Sequence, residues 1–93
     1  MSIGASTQHY RLDPHARFRV LDDEGIFVLQ EAGEVLVINE VAAFIVEQLH
    51  GGRSLSEVVT AITDRYAVDE ARAKADAESL LEALLSAGAM THT

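Results

Sequence analysis

The residues able to do chemistry are few and poorly grouped. His9, His15, His50 and His92 lie far apart. None has the helical i, i+4 spacing or the carboxylate partner of a known metal pattern, so they read as solvated histidines. There is no cysteine, and with it no disulfide, no thiolate nucleophile and no thiolate-held metal or cluster. No serine sits in a Gly-x-Ser-x-Gly elbow. Gly51-Gly52-Arg53 lacks the preceding strand and set glycine spacing of a phosphate-binding or dinucleotide loop, and reads as a helix stop. Glu40, Glu47, Glu57, Asp64, Asp76, Glu78 and Glu82 fall mostly on polar helix sides. Paired carboxylates for acid-base work need a pocket. These residues name no catalytic constellation, no metal site and no cofactor.

Charge narrows the partners. The formal net charge is -8, which opposes binding to a phosphate backbone. It suits solubility, or a peptide or enzyme partner with basic patches. No apolar run approaches the roughly 20 residues of a membrane-spanning helix, and Met1 to Tyr10 lack the basic and apolar regions of a signal peptide. The expected location is the cytoplasm, with no membrane partner.

The elements that must position any site are legible from pattern. The length of 93 residues supports one modest core, burying about 60% of the unfolded chain's surface. Residues 1–16 are polar and aperiodic and read as a flexible arm. Three strand-like runs follow: Phe18-Arg19-Val20-Leu21, Ile26-Phe27-Val28-Leu29 and Val35-Leu36-Val37-Ile38. Asp22-Asp23-Glu24-Gly25 and Ala32-Gly33 separate them as tight turns. Short apolar runs split by Gly-containing turns predict an antiparallel meander.

After Asn39 the period changes to that of a helix. Asn39 is a good N-cap, and Ala42, Ile45 and Leu49 share a face with Val41 and Phe44 beside it. Ser54-Leu55-Ser56-Glu57 is a capping box. It opens a second helix lined by Leu55, Val58, Val59, Ile62 and Tyr66. Asp69 caps a third, with Ala73, Ala77, Leu80, Leu81, Leu84 and Leu85 on its buried side and Gly88 at its end. The fold class is α+β: a three-stranded antiparallel meander followed by three helices, winged-helix-like. One domain over residues 17–90 is expected, with a tail over 91–93.

The order of these features resembles the PqqD family, named for pyrroloquinoline quinone biosynthesis protein D. The wider group is called the RiPP recognition element, for ribosomally synthesised and post-translationally modified peptides. The resemblance runs from about Phe18 to Met90. It is carried by Val35-Leu36-Val37-Ile38-Asn39, by Ala42, Ile45 and Leu49, and by Gly52-Arg53-Ser54-Leu55-Ser56-Glu57-Val58. Tyr66-Ala67-Val68-Asp69 and Leu81, Leu84, Leu85 and Gly88 complete it. Val37-Ile38-Asn39 departs conservatively from the Leu-Asn of many members.

The resemblance implies a non-catalytic domain that binds the leader segment of a precursor peptide and presents it to a modifying enzyme. Such an enzyme is often a radical SAM protein or a leader peptidase. The leader is expected to add as a strand beside the third run, Val35, Leu36, Val37 and Ile38. It then lies against the third helix at Ala73, Asp76, Ala77 and Leu80. No charge or proline blunts that strand edge, and the small alanines of the third helix would let a peptide approach. A monomer or weak dimer is expected. Two other classes share the architecture. A winged-helix DNA-binding protein would need a cationic recognition helix, yet Arg72 and Lys74 stand against Glu70, Asp76, Glu78 and Glu82. A self-associating structural domain would use the same open edge.

Overall fold

The computed structural model describes residues 9–93. Eight elements run in the order β1 (Tyr10–Leu12), β2 (Ala16–Leu21), β3 (Glu24–Leu29), β4 (Glu34–Ile38), α1 (Glu40–His50), α2 (Leu55–Tyr66), α3 (Glu70–Ser86) and β5 (Met90–His92). The meander and the three helices stand as the sequence implies. β2, β3 and β4 form one antiparallel sheet in the order β2-β3-β4.

The ends of the fold differ from expectation. Tyr10 to Leu12, read as part of the arm, and Met90 to His92, with Thr91 and His92 read as tail, pair antiparallel as a separate two-stranded sheet with Arg11 opposite Thr91. Ala16, assigned to the arm, opens β2 and is buried. Residues 1–8 of the expected arm lie outside the described residues. The physical reason for the difference is Tyr10 and Met90, both 3% exposed or less. Their burial draws β1 and β5 against the core. The Tyr10 ring lies on His92 with centroids 4.8 Å apart, and burial, followed by Glu78, raises the phenol's pKa.

The first turn is also tighter than expected. Asp22 and Asp23 take positive φ values of 49° and 70°, the backbone of a two-residue primed hairpin turn. Aspartate tolerates this region better than most side chains. Glu24 and Gly25 are thereby released from the turn and pair in β3, with Glu24 opposite Leu21 and Gly25 opposite Val20.

The helices begin where their caps place them. Asn39 Oδ1 accepts from Ala42 N at 2.9 Å. Ser54 N donates to Glu57 Oε1 at 2.8 Å while Glu57 N donates to Ser54 Oγ at 3.2 Å, completing the capping box. Hydrogen bonding from Ser54, its backbone N–H foremost and then its side chain, holds the Glu57 carboxyl below its ordinary pKa. Asp69 Oδ2 accepts from Arg72 N at 3.2 Å.

The core joins Phe27 and Leu29 of the sheet to Val46 and Leu49 of α1, Leu55 and Val58 of α2, and Ala77 and Leu81 of α3. In α1 the buried face is Ala43, Ile45, Val46 and Leu49. It is turned slightly from the expected one, leaving Val41 and Ala42 half-buried at the surface. Among the described residues, no helix is long and apolar enough to cross a membrane.

α2 ends without the glycine that usually serves there. Ala67 closes it in the left-handed region at φ 52°, ψ 40°, where a Cβ is disfavoured. Ala67→Gly relieves that contact, offset in part by the extra freedom it gives the unfolded chain. The expected result is a net gain of about 0.5–1 kcal/mol, read as a higher denaturation midpoint with an unchanged slope.

Candidate functional site

β4 is an edge strand, and the turn before β3 decides which of its groups face outward. A two-residue turn makes its flanking pair, Leu21 and Glu24, a hydrogen-bonded pair. Hydrogen bonding to β2 then falls on the even residues of β3. Gln30 N continues that series by donating to His15 O at 3.1 Å. The odd residues of β3 therefore serve β4, through Gly25 with Ile38, Phe27 with Leu36 and Leu29 with Glu34. Val35 and Val37, opposite Val28 and Ile26, turn their N–H and C=O groups to the open edge.

Side-chain direction follows the other period-two alternation. Leu36 and Ile38 point inward and are packed against the core. Val35 and Val37 are 61% and 60% exposed on the sheet's outer face.

Beside Asn39, where β4 gives way to α1, a groove of about 570 Å³ opens between the start of α1 and one side of α3. Val41, Ala42, Ile45, Val68 and Leu80 supply its apolar surface, and Arg72 and Asp76 its charged rim. Arg72, Asp76 and Leu80 are spaced i, i+4, i+8, which places them on one stripe of α3. Arg72 Nε lies 3.5 Å from Asp76 Oδ2 with both side chains largely exposed, a pair of small energetic weight that a ligand can rearrange.

The structure divides the α3 residues expected to meet a peptide. Asp76 and Leu80 line the groove. Ala73 and Ala77, at 2% and 0% exposure, do not; they sit in the core with Leu81 and Leu84. The division is one of helical phase. Position 73 lies about 100° around the helix from 72, and the 73-77-81-84 stripe faces inward. Arg72, Val41, Ile45 and Val68 belong to the groove without having been singled out for it from sequence.

The histidines remain dispersed. His15 Nδ1 and Nε2 lie 3.4 Å from Asp13 and 3.5 Å from Glu31, and His50 Nδ1 accepts from Leu12 N at 3.4 Å. Among the described residues no three His, Asp or Glu side chains gather as a metal site.

Two solved structures share this architecture. One is TbiB1 in complex with the TbiA(beta) leader peptide. It matches with a TM-score of 0.81 and 24% identity, over 86% of this chain and 93% of that one. Another is lasso peptide synthetase B1 complexed with the leader peptide. It matches with a TM-score of 0.83 and 28% identity, over 89% of this chain and 98% of that one. No curated protein sequence matches the chain. The model of the coenzyme PQQ synthesis protein D family matches residues 8–89, and with the edge strand, the groove and the three capped helices in that order, the chain belongs to the PqqD family.

Proposed function

We propose that this protein is a non-catalytic recognition element that binds the leader segment of a ribosomally made precursor peptide and presents it to a modifying enzyme. The leader adds as a fourth strand along β4 and continues over the apolar groove of α1 and α3. The observation that carries this reading is the β4 edge, whose outward N–H and C=O groups at Val35 and Val37 open beside that groove. Unpaired edge groups supply affinity to an extended peptide of almost any sequence, and the groove supplies choice and register. Lasso peptide synthetase B1, similar in fold and 28% identical, is complexed with a leader peptide, which supports the same role here. The protein acts in the cytoplasm, where its precursor is made.

The exposed side of α3 does not favour the nucleic-acid alternative. Glu70, Asp76, Glu78 and Glu82 stand exposed there beside Arg72 and Lys74, an unfavourable field for phosphate.

The test is a calorimetric titration of the protein with the leader of its cognate precursor. Saturable one-to-one binding is expected. Leu80→Asp should weaken it roughly tenfold to a hundredfold, since the apolar contact at Leu80 is lost and a carboxylate is placed in the groove. A parent protein that binds no leader, or a Leu80→Asp variant that binds as the parent does, overturns the proposal.

A further inference from the structure

The outer face of the β2-β3-β4 sheet carries no helix, and its composition is unlike the rest of the surface. Two rows cross it. Arg17 stands opposite Val28 and Val28 opposite Val35; Arg19 stands opposite Ile26 and Ile26 opposite Val37. Each row begins with a cation on β2 and ends with an exposed valine on β4. Val28, Val35 and Val37 are 40%, 61% and 60% exposed, with Leu21 at 48% beside Arg19. Sheet faces left to water normally carry polar side chains at these positions.

The charge on this face also runs against the chain. The net charge is -8, yet the margin formed by β2 presents two guanidinium groups. Neither makes an ion pair among the described residues. Glu24, opposite Leu21 at the hairpin end of this face, follows the Arg19–Ile26 pair, with Asp22 and Asp23 exposed in the turn beyond it.

We infer that this face docks the modifying enzyme, through an apolar patch on that enzyme flanked on one side by carboxylates that receive Arg17 and Arg19. The inference rests on the leader's seat proposed above. A leader strand added at β4 lengthens both rows by one residue, so its outward side chains come to lie beside Val35 and Val37 in the same surface. An enzyme covering the face therefore touches leader and carrier together, and favours the loaded carrier over the empty one. Arg-rimmed apolar patches are characteristic of specific protein contacts. A second copy of this chain fits less well, because it brings a like net charge and the same basic margin to the contact.

The experiment uses the full chain, the enzyme that acts on the cognate precursor, and the leader. Arg17→Glu with Arg19→Glu is compared with the parent, and Arg17→Ser with Arg19→Ser is the milder second variant. Circular dichroism and melting check the fold of both. Leader affinity is read by titration and enzyme affinity by surface-immobilised binding, with and without leader. The expected result is leader affinity unchanged within about twofold and enzyme affinity reduced roughly tenfold or more by charge reversal, less by neutralisation, with a weaker salt dependence in both variants.

Unchanged enzyme affinity in the charge-reversed protein overturns the inference. So does a parent dimer in sedimentation that charge reversal dissolves, which would give the face to a second copy. Equal loss of leader and enzyme affinity overturns it as well, since the face would then act only through the leader's seat. Absent leader binding in the parent is a different result, and it removes the leader reading.

Discussion

Val37→Pro is expected to leave the domain folded and to weaken leader binding severely, whereas its neighbour Leu36→Pro is expected to destabilise it strongly. The two substitutions remove the same chemical group one residue apart. Leu36 lies opposite Phe27 in a hydrogen-bonded pair, so its N–H belongs to the ladder and its side chain to the core. Proline there deletes the bond, orphans a buried carbonyl on β3 and forces its ring against that strand. The sum is about 3 kcal/mol or more. For a domain of this size that is roughly 12–24 °C of melting temperature. Val37 lies opposite Ile26 in the other class of pair, with its N–H on the open edge. Edge strands accept proline in that parity.

The folded Val37→Pro variant still loses the donor that a leader strand would use, and its ring stands where the leader backbone must approach. One lost intermolecular bond costs about 1 kcal/mol. Steric exclusion of the neighbouring leader residues adds to it, so binding should fall well beyond tenfold. Melting curves assign the two parities, and a leader titration of the folded variant decides the site. If Val37→Pro keeps its native circular dichroism and binds leader as the parent does, the β4 edge is not where the leader sits. If Leu36→Pro melts like the parent, the hydrogen-bond parity assigned to β4 is wrong.

What the sequence shows of this fold is what local chemistry determines. Asn39, Ser54 with Glu57, and Asp69 each satisfy helix-end N–H groups within three residues. A cap of that kind is readable without knowing what the helix packs against. The three strand runs are likewise set by short apolar stretches and their turns. Where pairing spans the chain, pattern gives no warning. β1 and β5 are three residues each and meet across some eighty positions, too short for a period to show.

The groove was half legible for a related reason. Arg72, Asp76 and Leu80 line it with Val41 and Ile45 of a different helix, and only tertiary packing decides which stripe of α3 faces that way. Alanines at 73 and 77 satisfy two demands equally from sequence, a close peptide or a close helix. The structure places them against the core. The continuously apolar run Val35 to Ile38 hid the outer face in the same way. Two of its residues serve the core and two the surface, and an unbroken apolar stretch does not mark which.

Gly25→Val is expected to be the most damaging single change that touches neither edge nor groove. Gly25 is buried in β3 opposite Ile38. A Cβ built there would stand 2.7 Å from Phe18 Cε1, 2.8 Å from Ile38 Cγ1 and 3.0 Å from Ala43 Cβ. The three neighbours belong to β2, β4 and α1, so the missing side chain is what lets α1 settle on the sheet. The Phe18 edge is the far end of a side chain that can swing. Ala43 can retreat only by moving α1. Even alanine overpacks this site, at about 1–3 kcal/mol, and valine should reach or exceed the upper figure. A melting temperature lowered by roughly 12 °C or more follows for valine, less for alanine.

The functional consequence is separate from the stability loss. Displacing α1 from β4 shifts Val41, Ala42 and Ile45 relative to the strand edge, and with them the register between the leader's strand and its groove. Gly25→Ala, measured at a temperature where it is fully folded, should therefore bind leader more weakly although no residue of the site has changed. Combining it with Ala43→Gly removes one of the three contacts, and the pair should lose less stability than the sum of the single changes. If Gly25→Ala melts with the parent and binds leader equally well, the close approach of α1 to the sheet does not set the geometry of the groove.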